Sequence, residues 1–434
     1  MPDDHRRLHL NLNFLNAGTV GSAWRWPGND PKAFFDIDYY IRVAQLAEKG
    51  TFDSVFLADF PALTGRPDFA PFQSLEPTIA LAVISAHTRH IGLIATISSS
   101  FNEPFNIARR FATLDHASRG RIGINIVTSA DRGSALNFGR SDVVPHAERY
   151  ARADEFTSAI KALWSSWDDD AVIGDQAGGR FIDVSKVREV GFSGAHFTIR
   201  GPLNVPKGPQ GRPVIVQAGG SAEGTDLAAR HADAVFALAH ELDDAVSYSR
   251  TLRERAAAHG RDPASVLVFP GLVTIIGGTE EEARRREQEI WDLLPLELGL
   301  ARLAGTLGVD PATLDPDKPL PDDLKLPENG IQTFFLGTTR LARAHGWTVR
   351  ELIRYQRGGT HHRVVVGTPE QIADGIETWF RAGAVDGFNV MPDVLPSGLE
   401  SFVDEVVPLL RRRGLFREAY DGTTLRDHFG LARA

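Results

Sequence analysis

Short apolar runs alternate with amphipathic stretches along most of the 434 residues. Each run ends in a small or polar residue and is followed by apolar positions three and four apart, the pattern of a parallel strand feeding a crossover helix. Eight runs read as strands: Leu8–Leu15, Phe52–Asp59, His90–Ser98, Arg121–Ser129, Pro213–Gly220, Asp233–Leu238, Val266–Ile276 and Asp386–Pro392. Helical stretches with charged faces separate them, as in Pro31–Gly50, where the glycine closes the end. Eight such units predict an α/β chain folded as a closed TIM (β/α)8 barrel. No G-x-G-x-x-G follows the first strand, which weighs against a dinucleotide-binding open sheet.

Two stretches break the repeat and read as insertions on a single barrel domain spanning residues 1–434. Trp167–Gly211 is rich in Asp and Gly and holds a small hairpin around His196–Leu203. Gly308–Gly330 is dense in proline, and is expected either to border the site or to be a solvent-facing excursion. Composition acts mainly by exclusion. A hydrophobic share of 42% with 24% charged residues is ordinary for a globular enzyme, and a net charge of -9 offers no basic footprint for nucleic acid. Neither a membrane-length apolar stretch nor a signal-peptide core is present, so the expected location is cytoplasmic. With no cysteine in the chain, disulfides, thiolate metal sites and thiol nucleophiles are excluded. Redox chemistry would therefore need a bound cofactor. The fourteen histidines form no compact metal-ligand spacing, and no metal is expected.

In such a barrel the site is built at the C-terminal ends of the strands. Asp59 ends the second apolar run, as a solvated turn carboxylate or as a site group. Asn125, Thr128 and Ser129 put an amide and two hydroxyls at the end of a buried run, where they need partners; a heterocycle edge and a helix cap are the alternatives. Thr96 and Ser98 lie on the same rim. Gly219, Gly220 and Ser221 join the fifth strand to a helix whose N-terminus suits a single phosphate, or form a plain turn with Ser221 as cap. His146, Arg149, Tyr150 and Ala153 share one helix face. His361 and His362 precede another strand-like run and are ligand-reaching or structural.

Longer motifs carry a resemblance. AWRWP (23–27), FLADF (56–60), EPFNIARRFATLDHAS (103–118), NIVTS (125–129), NFG (137–139), ERYARADEF (148–156), QAGGS (217–221), VVVGTPEQIAD (364–374) and PLLRRRGLFREAYDGTTLRDHFGL (408–431) occur in order nearly end to end. With them the chain resembles the nitrilotriacetate and dibenzothiophene sulfone monooxygenase group of the bacterial-luciferase-like superfamily. The resemblance implies a two-component monooxygenase that takes reduced FMN (FMNH2) from a separate NAD(P)H:flavin reductase. It would add O2 to give a flavin peroxide at C4a or N5, and oxygenate a small organic molecule at carbon, nitrogen or sulfur. It also implies a homodimer or homotetramer.

By that resemblance Asp59 and Thr96 lie near the isoalloxazine, Asn125, Thr128 and Ser129 along its edge and ribityl chain, and Tyr150, Gly220 and Ser221 at the phosphate, supported by His146. Asp59, Asn125 and His362 are the expected catalytic groups, with His362 toward the substrate and His361 beside it. Phe14, Trp24 and Phe60 are expected to line the substrate space, as His361 is, and to cover the site against water. Thr19 and Val20 stand where relatives carry two histidines, and Ile124 where they carry Trp; these positions are expected to face the substrate. The competing readings are a flavin- or deazaflavin-dependent dehydrogenase on the same barrel and a non-catalytic flavin-binding barrel.

Overall fold

The computed structural model describes residues 6–63, 66–72, 75–327, 332–356 and 362–434. Its main sheet has nine parallel strands: β1 (His9–Phe14), β2 (Ser54–Leu57), β3 (Gly92–Ser98), β4 (Ile122–Val127), β5 (Val214–Gln217), β6 (Ala234–Ala237), β7 (Leu267–Ile276), β8 (Arg363–Gly367) and β9 (Gly387–Pro392). Pairings β6–β7, β7–β9 and β9–β1 complete a ring of eight, in the order β1-β2-β3-β4-β5-β6-β7-β9. Those eight are the apolar runs expected from the sequence. β8 stands outside the ring, and the length of β7 explains it. β6 pairs with the first part of β7 and ends at Ala237 opposite Pro270, after which β8 takes the same side from Leu272 to Ile276. The extra strand thus exists only at the C-terminal mouth, where it delivers His362.

Side chains alternate across a strand, and the two parities here bury in different cores. Leu10, Leu12 and Phe14 of β1 and Ile122, Ile124 and Ile126 of β4 pack outward under the helices. Phe56, Ile94, Val214, Val216 and Phe269 fill the lumen. Leu425 and Phe429, late in the chain, join that inner core and floor the barrel. Gly92 and Gly123 make the socket for Leu425: a Cβ at either would lie 2.4 or 3.1 Å from its methyl carbons. Thr424 begins this last helical turn with a capping box to Asp427. Around the floor, Asp53 is paired with His9 and Arg417, and Asp233 with Arg212 and Arg426.

The first excursion, between helix His146–Trp164 and β5, forms two small hairpins, Val172–Asp175 with Arg180–Ile182 and Phe192–Ser193 with Thr198–Ile199. The second is larger than the proline-rich stretch 308–330. The described part of that stretch connects helices Leu296–Leu307 and Gln332–His345, which are followed by Val349–Tyr355. Leu303, Leu307, Leu314, Leu320, Leu352 and Ile353 bury against one another in a separate core. The prolines mark the connection inside a helical unit. Among the described residues, no helix is long and apolar enough to cross a membrane.

Candidate active site

At the C-terminal mouth of the ring lies a cavity of about 460 Å³, within the usual size range of small-molecule and cofactor sites. One wall comes from the ends of β2, β3 and β4. Asn125 is buried and donates from Nδ2 to Thr96 Oγ1 at 3.0 Å, while its Oδ1 has no partner among the described residues. A buried carbonyl oxygen left unpaired costs about 1–3 kcal/mol, so this edge is built for a donor from outside the chain. Ser129, in the left-handed region at φ 38°, donates to Ser98 Oγ at 2.8 Å. Asp59 follows β2, and its carboxyl is pushed up to about 6 by burial and by the nearby charge of Glu76.

The opposite end of the cavity is made for an anion. Helix Ala222–His231 starts there, capped by Ser221, whose Oγ accepts from Gly224 N at 3.0 Å. The turn is tight because Gly219 and Gly224 touch: a Cβ on Gly219 would fall 3.0 Å from Gly224 Cα. First-turn N–H groups and the helix dipole favour negative charge at such a start. Across from it, helix His146–Trp164 contributes His146, Arg149 and Tyr150. Arg149 is only 3% exposed. Its Nε donates to Val144 O at 2.9 Å, its Nη1 reaches Thr128 and Ser129 at 3.4 Å, and its Nη2 is buried without a partner. A buried guanidinium facing no carboxylate among the described residues is a strong demand for an anion. His146 packs against Tyr150, with ring centroids 4.7 Å apart, and its Nδ1 is 3.8 Å from Glu223.

A third side is aromatic. The His362 ring stacks on Phe236 at 5.1 Å, and Phe334 of the helical unit meets it edge-on at 6.3 Å. Gly305 and Thr333 of the same unit also reach the cavity and roof it.

Most of the expected site residues are therefore brought together: Asp59, Phe60, Thr96 and Asn125 on one wall, Thr128 and Ser129 beside them, and His146, Tyr150, Gly220 and Ser221 at the anion end, with His362 opposite. Several are not. Ile124 faces the helices because Asn125 faces the lumen, and neighbours in a strand cannot share a face. Phe14 likewise points outward, onto Tyr39 and Tyr40. Val20 is buried in a cluster with Ala17, Ala23, Ile290 and Val394, none of which lines the cavity. Thr19 is tied to the end of β9 through its N–H to Pro392 O. The Trp24 indole donates to Phe69 O at 3.1 Å, which holds the ring against the loop before helix Pro77–His87. His361 lies outside the described residues. Arg149, by contrast, was missed as a site residue although its spacing from His146 and Tyr150 already put all three on one helix face. Phe236, Gly305 and Thr333 carried no local signal.

A parallel eight-stranded barrel with a polar ring-edge wall and an anion end at its mouth defines a class of cofactor-dependent α/β barrels. The sequence matches the luciferase-like monooxygenase family over residues 15–386, and the chain belongs to that family. It is 41% identical to N-acetyl-S-(2-succino)cysteine monooxygenase of Bacillus subtilis (strain 168), over 100% of this chain and 98% of that one. With nitrilotriacetate monooxygenase component A of Aminobacter aminovorans the identity is 42%, over 99% and 97%. A solved riboflavin lyase, described with modified FMN and substrate riboflavin, superposes with a TM-score of 0.87 at 32% identity, covering 98% of this chain and 96% of its own. The chain is a flavin-dependent monooxygenase that uses reduced FMN and O2, and the dehydrogenase and non-catalytic alternatives give way to that reading.

Proposed function

We propose that the cavity holds reduced FMN with its phosphate between Arg149, Tyr150 and the Ser221 helix start, and its ring system against Thr96 and Asn125. Arg149 carries this reading: a buried, partly unpaired cation beside a helix N-terminus fits a phosphate better than a neutral ligand. The unpaired Asn125 Oδ1 fits an N–H on the edge of the ring system. When bound, the flavin supplies the electrons with which O2 is activated, chemistry no side chain provides. The protein's part is to orient, to exclude water and to move protons. Asp59, with its carboxyl near 6, is placed to give or take one at the edge of the ring. His362 and the aromatic side bound the space left for the substrate, and the helical unit roofs it. Phe60, 43% exposed at the mouth, is the remaining aromatic for a cover.

The substrate we infer is a small organic molecule. Its FMNH2 comes from a separate NAD(P)H-dependent flavin reductase, in keeping with the "component A" of one relative's name, and from that dependence we infer a cytoplasmic enzyme. We read the chain as one catalytic domain whose active form is a homodimer or homotetramer; Phe181 and Val184 on the first excursion, each 74% exposed, suit cover by a second copy.

The phosphate assignment is tested by comparing FMN with riboflavin, which lacks the phosphate. Arg149→Met should weaken FMN binding by about tenfold or more, the loss expected of a charge-assisted contact, and leave riboflavin binding unchanged. Equal losses for both ligands would place the phosphate elsewhere.

A further inference from the structure

We propose that Gly271 is the positioning residue for His362: its missing side chain admits the imidazole to the cavity. The inference rests on the reading of His362 as a group at the substrate side of the site. Gly271 lies in β7 opposite Asn389 of β9, one residue before the β7–β8 pairing begins at Leu272 and Arg363. A Cβ built on it would fall 2.5 Å from both Cγ and Nδ1 of His362 and 2.9 Å from Met391 Sδ. The thioether can yield, being flexible. The ring cannot, because Cγ is one bond from its own Cβ and moves only with a change of rotamer.

Its other faces are already taken. Phe236 stacks on the ring at 5.1 Å and 24°, Phe334 stands edge-on at 87°, and Phe236 is itself braced edge-on by Phe56 at 5.5 Å. Glycine within a strand weakens it and is explained where another group approaches the backbone closely; here that group is the imidazole. β8 is no part of the closed ring, so the ring geometry does not itself send His362 over the mouth. The notch in β7 does.

The test is a double-mutant cycle on the full chain with Gly271→Ala, His362→Ala and both together. Two readouts serve: thermal unfolding, and the rate of H2O2 release from added reduced FMN and O2, which needs no identified substrate. Gly271→Ala alone should lower Tm by about 2–3 °C through overpacking. With His362→Ala present it should cost less than about 1 °C, because the conflicting atoms are gone. Equal losses in the two backgrounds would overturn the proposal. Should the single variant fail to fold, recovery of a folded double variant supports the proposal and its absence overturns it. The rate separates the seat from the role. Gly271→Ala and His362→Ala should change H2O2 release alike, and the double variant no further. Coupling in Tm with no change in rate would keep the seat and remove His362 from the chemistry.

Discussion

Asp59 carries a carboxyl that burial beside Glu76 shifts from 3.8 to about 6. Between those values the native state holds a proton that the unfolded chain has released, so this group's contribution makes stability fall as pH rises from about 4 to about 6 and level off above. Asp59→Asn removes the contribution. The difference in Tm between variant and wild type should therefore move in the variant's favour over that window, while oxygenation with reduced FMN declines. Asp115, also shifted up to about 6 by burial, is present in both proteins and cancels. A Tm difference that does not change with pH would show that Asp59 does not titrate there. Ser221 makes the complementary case. Asp caps a helix as well as Ser does, so Ser221→Asp should unfold at nearly the wild-type temperature. Its carboxylate would stand against the phosphate, and FMN titration should show affinity reduced by about tenfold or more; unchanged affinity would remove Ser221 from the phosphate site.

Among the elements, the ring strands were legible because each is a short apolar run between turn signals, and all eight were found. Which side of a strand faces the site was legible as well, but only if parity is respected. Once Asn125 is placed toward the lumen, Ile124 must face the helices, and Phe14 follows Leu10 and Leu12 outward by the same rule. The helical unit around the proline-rich connection was not legible as a unit. Its amphipathic helices bury against one another, and no local pattern distinguishes that from packing on a barrel. The floor was equally hidden: nothing near Leu425 announces that its partners are Gly92 and Gly123, some three hundred residues earlier. Leu425→Ala should open a void there and cost about 2–5 kcal/mol in denaturant unfolding, with FMN affinity unchanged because the cavity lies at the other end of the lumen. A cost below about 1 kcal/mol would mean the floor is not packed as described.

For the molecule as a whole, the cavity is a joint product of the barrel and the helical roof. Gly305 shows this most simply. It sits inside helix Leu296–Leu307 and reaches the cavity, and a Cβ added there would meet nothing within 4 Å. Gly305 lies in the last turn of its helix, where replacing glycine gains at most the roughly 1 kcal/mol of a helix interior, so Gly305→Leu should hold or raise Tm. The new side chain would take substrate space, and kcat/KM for larger substrates should fall while FMN affinity, set on other elements, stays constant. Loss of FMN affinity would move the substrate space elsewhere.

Ring closure joins β1 to β9, pairing His9 with Gly387. During synthesis β1 therefore has one unpaired edge until residue 392 has emerged, and an open strand edge invites other chains. β1 turns His9, Asn11 and Asn13 toward the unfinished lumen, with apolar residues only on the face the helices cover early. Polar residues on an exposed strand discourage pairing with another chain. The same three side chains that lie beneath the finished cavity thus protect the nascent protein while its barrel is still an open sheet.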